Sequence, residues 1–555
     1  MYKTDMSKLT YSNRDWWKWG EADKRKRLDD FPKLKKDFIQ RFGNHFETLV
    51  PSPDIKIEAE SNEKVVQLFK KELPVIDIKT DIETRLLRAT GKSYFDLLRA
   101  YHPELIKLPD AVIKPNTQTE LAQVIRWADN HQVIIVPFGG GTNVVGAFAP
   151  KASQKGHFTL DLSSLNGLVG FDKENQIATF EAGITGPQLE AKLKERGYTM
   201  GHFPQSFEYS TLGGWVVTHS AGQESSHYGN IDNIVLGLKV ITPAGTIHTN
   251  HYESDADGID LKALFLGSEG LLGVVSEVQV KIHPIPKTKK WVTAIFPSFS
   301  QGTQALKTIT RNGLEPSVVR YSDALETDFL LKAADEGSSF FKELKSIAIQ
   351  SFFKLKRWKE PTILMIRFDG EPELAHLRAK MAETVITKNK GFLTGEGLGK
   401  KWENSRYGLP YMRDDLVERG LVVDTMETIL PWSKIQETKE ALLRNLQESE
   451  AFGKKNGILL AHLSHVYSTS SCIYFTVITQ MNRKNAVAQW HEIKNIVTDT
   501  ITQHGGAVSH HHSIGTELQK WYLQNTDELS KKVLQAVKKV LDPNSIMNPG
   551  KLFDE

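Results

Sequence analysis

Pro137-Phe138-Gly139-Gly140-Gly141-Thr142-Asn143 closes an apolar run that begins at Val133, and its reading decides how the rest of the chain is understood. Three successive glycines leave the backbone bare and able to adopt positive φ, so consecutive amide N–H groups converge on an anion such as a pyrophosphate. The stretch lacks the Gly-Lys-Ser/Thr ending of a nucleotide P-loop and the Gly-x-Gly-x-x-Gly spacing of the dinucleotide fingerprint. A triple glycine standing alone is an ordinary loop. This one opens an ordered series: Glu181-Ala182-Gly183-Ile184-Thr185, Gln205-Ser206-Phe207-Glu208-Tyr209-Ser210-Thr211 running into Gly213-Gly214, Thr218-His219-Ser220-Ala221-Gly222, and Gly267-Ser268-Glu269-Gly270-Leu271-Leu272-Gly273-Val274-Val275. Small residues at so many loops beside apolar strands or helices predict a long, flat ligand lying against backbone.

The setting is a folded chain of 555 residues, 40% hydrophobic and 25% charged, long enough for several domains. Seventy Lys plus Arg against sixty-seven Asp plus Glu leave a formal +3, too small a field to draw in nucleic acid. The single cysteine, Cys472, excludes an internal disulfide and any multi-thiolate metal site, and no metal is expected. No run approaches the roughly 18 apolar residues of a spanning helix. The start lacks the apolar core of a secretory signal and the end matches no receptor-read address, which predicts a cytoplasmic location.

Around the glycine loops, β-branched runs alternate with helical periodicity. Strands are predicted at 111–115, 131–137, 158–162, 176–182, 234–241 and 271–282, with a helix over 117–130 capped by Thr117 or Thr119. Prolines at 284 and 286 mark a domain exit, and further strands fall at 362–368 and 471–478. The resulting division is a helical amino-terminal extension (1–103) containing Trp16, Trp17 and Trp19, a ligand-binding domain (104–285), a cap (286–505) and a carboxyl-terminal segment (506–555) that returns to the binding domain. Residues 339–358 mix aromatics with Lys342, Lys345, Lys354, Lys356 and Arg357. They read equally as a segment docking peripherally on anionic membrane or as a cap helix burying Phe341, Leu344 and Phe352.

The loop series, together with Asp542-Pro543-Asn544-Ser545-Ile546-Met547-Asn548-Pro549-Gly550-Lys551, resembles the vanillyl-alcohol oxidase/p-cresol methylhydroxylase flavoprotein superfamily. The resemblance implies an α+β fold: a two-subdomain FAD-binding domain of that type, an α/β cap and the helical extension. It implies FAD as cofactor, held by residues 137–143, 205–211, 218–221 and 269–275. Thr142 and Asn143 stand where some members attach FAD through a histidine, so the cofactor is expected to be non-covalent. His219 reads as a hydrogen-bonding residue beside the flavin, with covalent attachment the alternative.

In the carboxyl-terminal half the strongest signal is His510-His511-His512, imidazoles suited to proton transfer and anion handling near neutrality. With residues 201–215, 228–232, 318–323 and 411–414, Glu427-Thr428, Pro431-Trp432 and Cys472-Ile473-Tyr474-Phe475, the chain resembles the alkyldihydroxyacetonephosphate synthases over nearly its whole length. The resemblance implies a redox-neutral use of FAD: the flavin N5 captures the carbon of an acyl-dihydroxyacetone phosphate, the fatty acid leaves, and a fatty alcohol replaces it to form an ether. It casts Tyr474, the three histidines and Arg320 as catalytic and Arg413 as substrate-binding, with lipid partners and a homodimer as an admissible assembly. Without it, the arginines read as surface ion-pair residues and Tyr474 as a packing residue. His462 and His465 are expected to line the pocket and not to hold metal, for want of a carboxylate partner. His219 departs from the arginine common in that family's loop, so the electrostatics beside the flavin differ here. The alternative function is an FAD-linked oxidase or dehydrogenase of a 2-hydroxy acid, disfavoured because residues 462–472 lack the His-x-Gly-Asp-Gly-Asn segment.

Overall fold

The structure is a computed structural model describing residues 16–43, 61–148, 155–333, 358–454 and 456–553. The segment 339–357, read above as membrane-docking or cap helix, lies outside the described residues.

The glycine loop leaves a small sheet in which Ala111–Lys114, His157–Asp161 and Ile134–Phe138 run parallel and Asp77–Lys79 pairs antiparallel at the edge. That edge strand comes from the amino-terminal extension, which is therefore not separate from the binding domain. The helix before the glycine strand, Gln118–His131, is capped by Thr117, whose hydroxyl accepts the Glu120 N–H at 3.1 Å. It runs through His131, where a strand was predicted, because Gln132 takes the left-handed conformation that ends the helix and starts the strand only at Ile134. A second sheet joins Leu168–Asp172, Ile177–Glu181, Val274–Lys281, Val235–Thr242 and Gly245–His248, all antiparallel. The strand predicted from Leu271 begins three residues later, since Gly270 and Gly273 turn the backbone through positive φ first.

Beyond Pro284 the cap is a seven-stranded antiparallel sheet, ordered Phe392–Leu393, Thr288–Phe296, Thr362–Gly370, Val318–Ser322, Ile458–Val466, Ser470–Gln480, Leu421–Pro431. Its strands alternate in facing, so one face packs on helices and the other is left for the binding domain. The two halves meet through a buried ion cluster. Glu224, beside the 218–222 loop, accepts from Arg406 and Arg367, each at 2.8 Å, and Arg367 also grips Asp369 and Glu403. Removing one partner from such a cluster leaves an uncompensated buried charge, so it ties cap to binding domain.

The carboxyl terminus returns to the first sheet. Ile135 and Met547 bridge in parallel, Ile135 N–H donating to Ile546 O and Asn548 N–H to Ile135 O, both at 2.9 Å. The preceding helix, Glu528–Leu541, buries Lys538 (2% exposed), which donates to Asp542 and to the carbonyls of Leu271 and Met547. Among the described residues no helix is long and apolar enough to cross a membrane. Lys538→Met leaves those buried acceptors unpaired; a loss of about 3–5 kcal/mol is expected, seen as a fall in the thermal unfolding midpoint, and an unchanged midpoint would count against this lysine as the anchor of the returning segment.

Candidate active site

One face of the cap sheet forms the wall of a cavity of about 370 Å³ against the glycine loops. Strand periodicity selects its lining: Val423 and Thr425 on one strand, Leu460, His462 and Ser464 on the next, and Tyr474, Thr476 and Ile478 on the third, each two residues apart. The register sets Glu427, Tyr474 and His462 side by side across three strands, and Ser322, two residues from Arg320, pairs with His462. A bulge between Leu463 and His465 brings Ser464 and His465 both to the cavity.

Opposite this wall lie Pro137, Phe138, Gly139, Gly140, Gly141, Thr142 and Asn143, then Gln205, Ser206, Ser210, Thr211, Thr218, Ser220 and Ala221, and then Glu269, Gly270, Gly273, Val274 and Val275. The middle glycine is dictated by packing: a Cβ on Gly140 would stand 2.0 Å from Tyr209 O, so this loop and the 205–211 loop close on each other only without a side chain. Several predicted contacts face elsewhere. Phe207 stacks on Tyr407 at 5.7 Å, Glu208 pairs with Lys24, and the Tyr209 hydroxyl meets that of Tyr411 at 2.7 Å. Leu271 and Leu272 are core residues. His219 adopts φ 51° and turns outward, half-exposed, with Nε2 3.5 Å from Asp232, so it does not line the cavity.

The histidine run is fixed by Glu427, which the sequence motifs include beside Thr428 but without a role. Glu427, 3% exposed, accepts the backbone N–H of His510 at 2.7 Å, His511 at 3.1 Å and His512 at 3.0 Å, and the Ser509 hydroxyl at 2.7 Å. Burial opposes its charge, but the adjacent imidazoles of His511, His512 and His510 and the Ser509 hydroxyl hold the carboxyl well below its usual range. Three consecutive amides converging on an anion make a nest, here filled from within the chain. Glu269, at φ 53°, does the same for the next turn, accepting the N–H of Ile514 at 2.7 Å and Gly515 at 2.8 Å and the Ser513 hydroxyl. Its carboxylate, expected on the cofactor, is committed to this loop.

His511 and His512 line the cavity, while His510 sits behind them. Burial lowers His511 to about 3 and His510 to about 4, so both rings are neutral bases at physiological pH. Tyr474 lies between His462, stacked at 5.1 Å, and the rings of His511 and His512; burial pushes its phenol up, keeping it protonated. Arg320 is not an unpaired cation: Nη2 donates to Glu326 at 2.6 Å, and His462 Nδ1 meets the same carboxylate oxygen at 3.0 Å. Arg413 lines the cavity but directs its guanidinium to Lys92 O at 2.6 Å and to Asp414. The ring nitrogens and thiol of His465, Cys472, His510 and His511 come within 4.8 Å of one another, and a carboxylate, Glu427, stands beside the run where none was expected. Within this group His465 meets Gly222 O and the Ser464 hydroxyl, each at 2.9 Å, and His510 meets the Tyr467 hydroxyl at 2.8 Å.

Residues 109–250 match the family described as FAD binding domain, and residues 285–552 the family described as FAD linked oxidases, C-terminal domain. An alkyldihydroxyacetonephosphate synthase of Trypanosoma brucei brucei is 32% identical over 94% of this chain and 87% of its own length. That of Dictyostelium discoideum is 31% identical over 86% of this chain and 78% of its own. The chain belongs to the alkyldihydroxyacetonephosphate synthase family. A solved alkyldihydroxyacetonephosphate synthase structure superposes with TM-score 0.82 at 26% identity, covering 98% of this chain and 99% of the other.

The protein is an FAD-dependent enzyme of this type, and its residues suit the cofactor. Asn548 Oδ1, Gln223 Oε1 and Arg320 Nε, all on cavity-lining residues, are buried without hydrogen-bond partners, beside the bare backbone of Gly139, Gly140, Gly141 and Gly270. Such atoms call for a polar ligand, since each costs about 1–3 kcal/mol unpaired. The 137–143 and 205–211 loops would hold the cofactor's phosphates, with Gln223 and Asn548 meeting its polar edges.

Glu427→Ala strips the acceptor from three backbone amides. It is expected to lower turnover at least tenfold, as loss of oriented acid–base groups does, while flavin absorbance persists and hydrogen exchange at residues 509–515 quickens. Unchanged exchange in that loop would show that Glu427 does not hold it.

Proposed function

We propose that the enzyme exchanges the acyl chain of acyl-dihydroxyacetone phosphate for a fatty alcohol, giving the ether-linked lipid precursor. The observation that carries this reading is the mixed lining of the cavity, in which Arg320, Tyr474, His511 and His512 share the wall with Phe329, Leu330, Leu409, Met412, Leu416 and Leu460. A small hydroxy acid has no use for so much apolar lining, whereas an acyl or alkyl chain gains about 0.8 kcal/mol per buried methylene.

FAD, when bound, supplies the centre at which the carbon changes its oxygen substituent without net oxidation. The protein supplies binding and proton handling. Arg320 offers Nε to the phosphate while Glu326 offsets its charge, and Arg413 borders the same cavity. The neutral His511 accepts the alcohol proton, and the protonated Tyr474 hydrogen-bonds the departing carboxylate. His512, whose backbone N–H donates to Glu427, keeps the wall polar where charge develops.

Supplied with acyl-dihydroxyacetone phosphate and labelled fatty alcohol, the purified flavoprotein is expected to form labelled ether with no net flavin reduction. Bleaching by a D-2-hydroxy acid without ether product would establish the oxidase alternative instead.

A lipid substrate also implies a face toward the bilayer, proposed here for a cytoplasmic enzyme in peripheral contact with membrane. The helix Glu528–Leu541 supports this: Leu529, Val533 and Val540, at 71%, 55% and 69% exposure, form an outward stripe flanked by exposed Lys532 and Lys539, an interfacial pattern matched to anionic headgroups. Leu529→Glu with Val533→Glu should abolish sedimentation with phosphatidylglycerol vesicles, and sedimentation equal to the parent protein would exclude this helix.

A further inference from the structure

His510 is the ring of the run that the cavity does not reach, yet both its nitrogens are engaged. Its Nδ1 lies 3.0 Å from Nδ1 of His511, and its Nε2 lies 2.8 Å from the Tyr467 hydroxyl. Asn230 Nδ2 donates to the same hydroxyl at 2.9 Å. Glu427 pins the His510 and His511 backbones, so these separations are held by the fold. Tyr467 is half-buried, in the turn after the Ile458–Val466 strand, and the next residues, Ser468 and Thr469, are exposed. Three proton-carrying side chains thus form a continuous file from the cavity wall to a partly exposed tyrosine at the start of a surface turn.

We propose that His511, His510 and Tyr467 form a proton relay joining the active-site cavity to solvent. The inference rests on the exchange reaction proposed above, which requires such an exit. The alcohol enters with an O–H, the ether product has none, and the departing fatty acid is a carboxylate at neutral pH, so each turnover releases one proton. The buried wall offers no other file of this kind among the described residues. His512 backs onto Glu427, with the buried Lys494, Asp424 and Glu517 beyond, and His465 is taken by Gly222 O and Ser464.

The transfers balance. Over one turnover the carbon–carboxylate oxygen bond breaks and the alcohol oxygen bonds to that carbon, and the alcohol proton passes to Nε2 of His511, the ring nitrogen not engaged by His510. The Nδ1 proton of His511 passes to Nδ1 of His510, the Nε2 proton of His510 to the Tyr467 oxygen, and the Tyr467 proton to water. Each group gains one proton and loses one, leaving no charge in the file. The Asn230 amide, donating to the phenolic oxygen, favours the outward release. His510 and Tyr467 act through His511 and do not touch substrate.

Tyr467→Phe in the flavin-loaded enzyme, assayed with acyl-dihydroxyacetone phosphate and fatty alcohol, is expected to keep its flavin and its KM and to lose about tenfold or more of kcat. The solvent deuterium isotope effect should rise, and imidazole added to the buffer should restore part of kcat. Wild-type kcat with an unchanged isotope effect overturns the relay, as does a raised KM with a loss that imidazole does not restore, the mark of a merely structural role. A second measurement stands apart from the substrate assignment. With isotope-labelled histidine followed by NMR, exchange of the His510 and His511 ring protons with solvent should slow in Tyr467→Phe; unchanged exchange overturns the relay even if the enzyme proves to act on another substrate.

Discussion

Two buried carboxylates gripping one stretch of backbone are the constraint on which the active site depends. Glu427 reaches from the cap sheet and Glu269 from the binding domain, and together they take the amides of His510, His511, His512, Ile514 and Gly515. A buried carboxylate without donors would be expelled or protonated, and a loop of unpaired amides would be unstable. Each cost is removed by the other. The histidine segment is consequently a splint between two domains, and its side chains are left over for the cavity.

This arrangement explains why so many charged groups at the site are already paired. Arg320 is matched by Glu326, Arg413 by Asp414 and the Lys92 carbonyl, and Glu224 by two arginines. Internal pairing fixes side-chain directions in a low dielectric and leaves single atoms, such as Arg320 Nε, for a ligand. Neutral imidazoles and a protonated phenol beside the cavity suit proton transfer without accumulating charge. A wall built this way must still exchange protons with water, which is why the one ring turned away from the cavity matters.

Much of this was legible in the sequence because it is local. The ordered glycine loops, the Thr117 cap and the period-two strands each depend on neighbouring residues, and the structure sets them in the predicted places with shifts of a few residues where Gln132, Gly270 and Gly273 turn the backbone. The alternating strand expected at 471–478 is present, and its period of two sets Tyr474 and Thr476 on the cavity face. Misplaced residues share one physical cause. Within a loop, facing has no fixed period, so Phe207, Glu208, Tyr209 and His219 were grouped with the cofactor contacts beside them although their side chains point to other partners.

The sequence by itself determined the family and the cofactor, because motif spacing and residue chemistry survive without knowledge of the fold. Only the tertiary structure decided which carboxylates matter. Glu427 is more than eighty residues from His511 in the chain, and Glu269 more than two hundred and forty from Gly515. Glu326 meets His462 across a similar gap. Local motifs contain Glu427 and Glu269 but do not give their partners, since a buried carboxylate is tolerable only where distant donors converge on it, and that convergence exists only once the sheets and loops have packed.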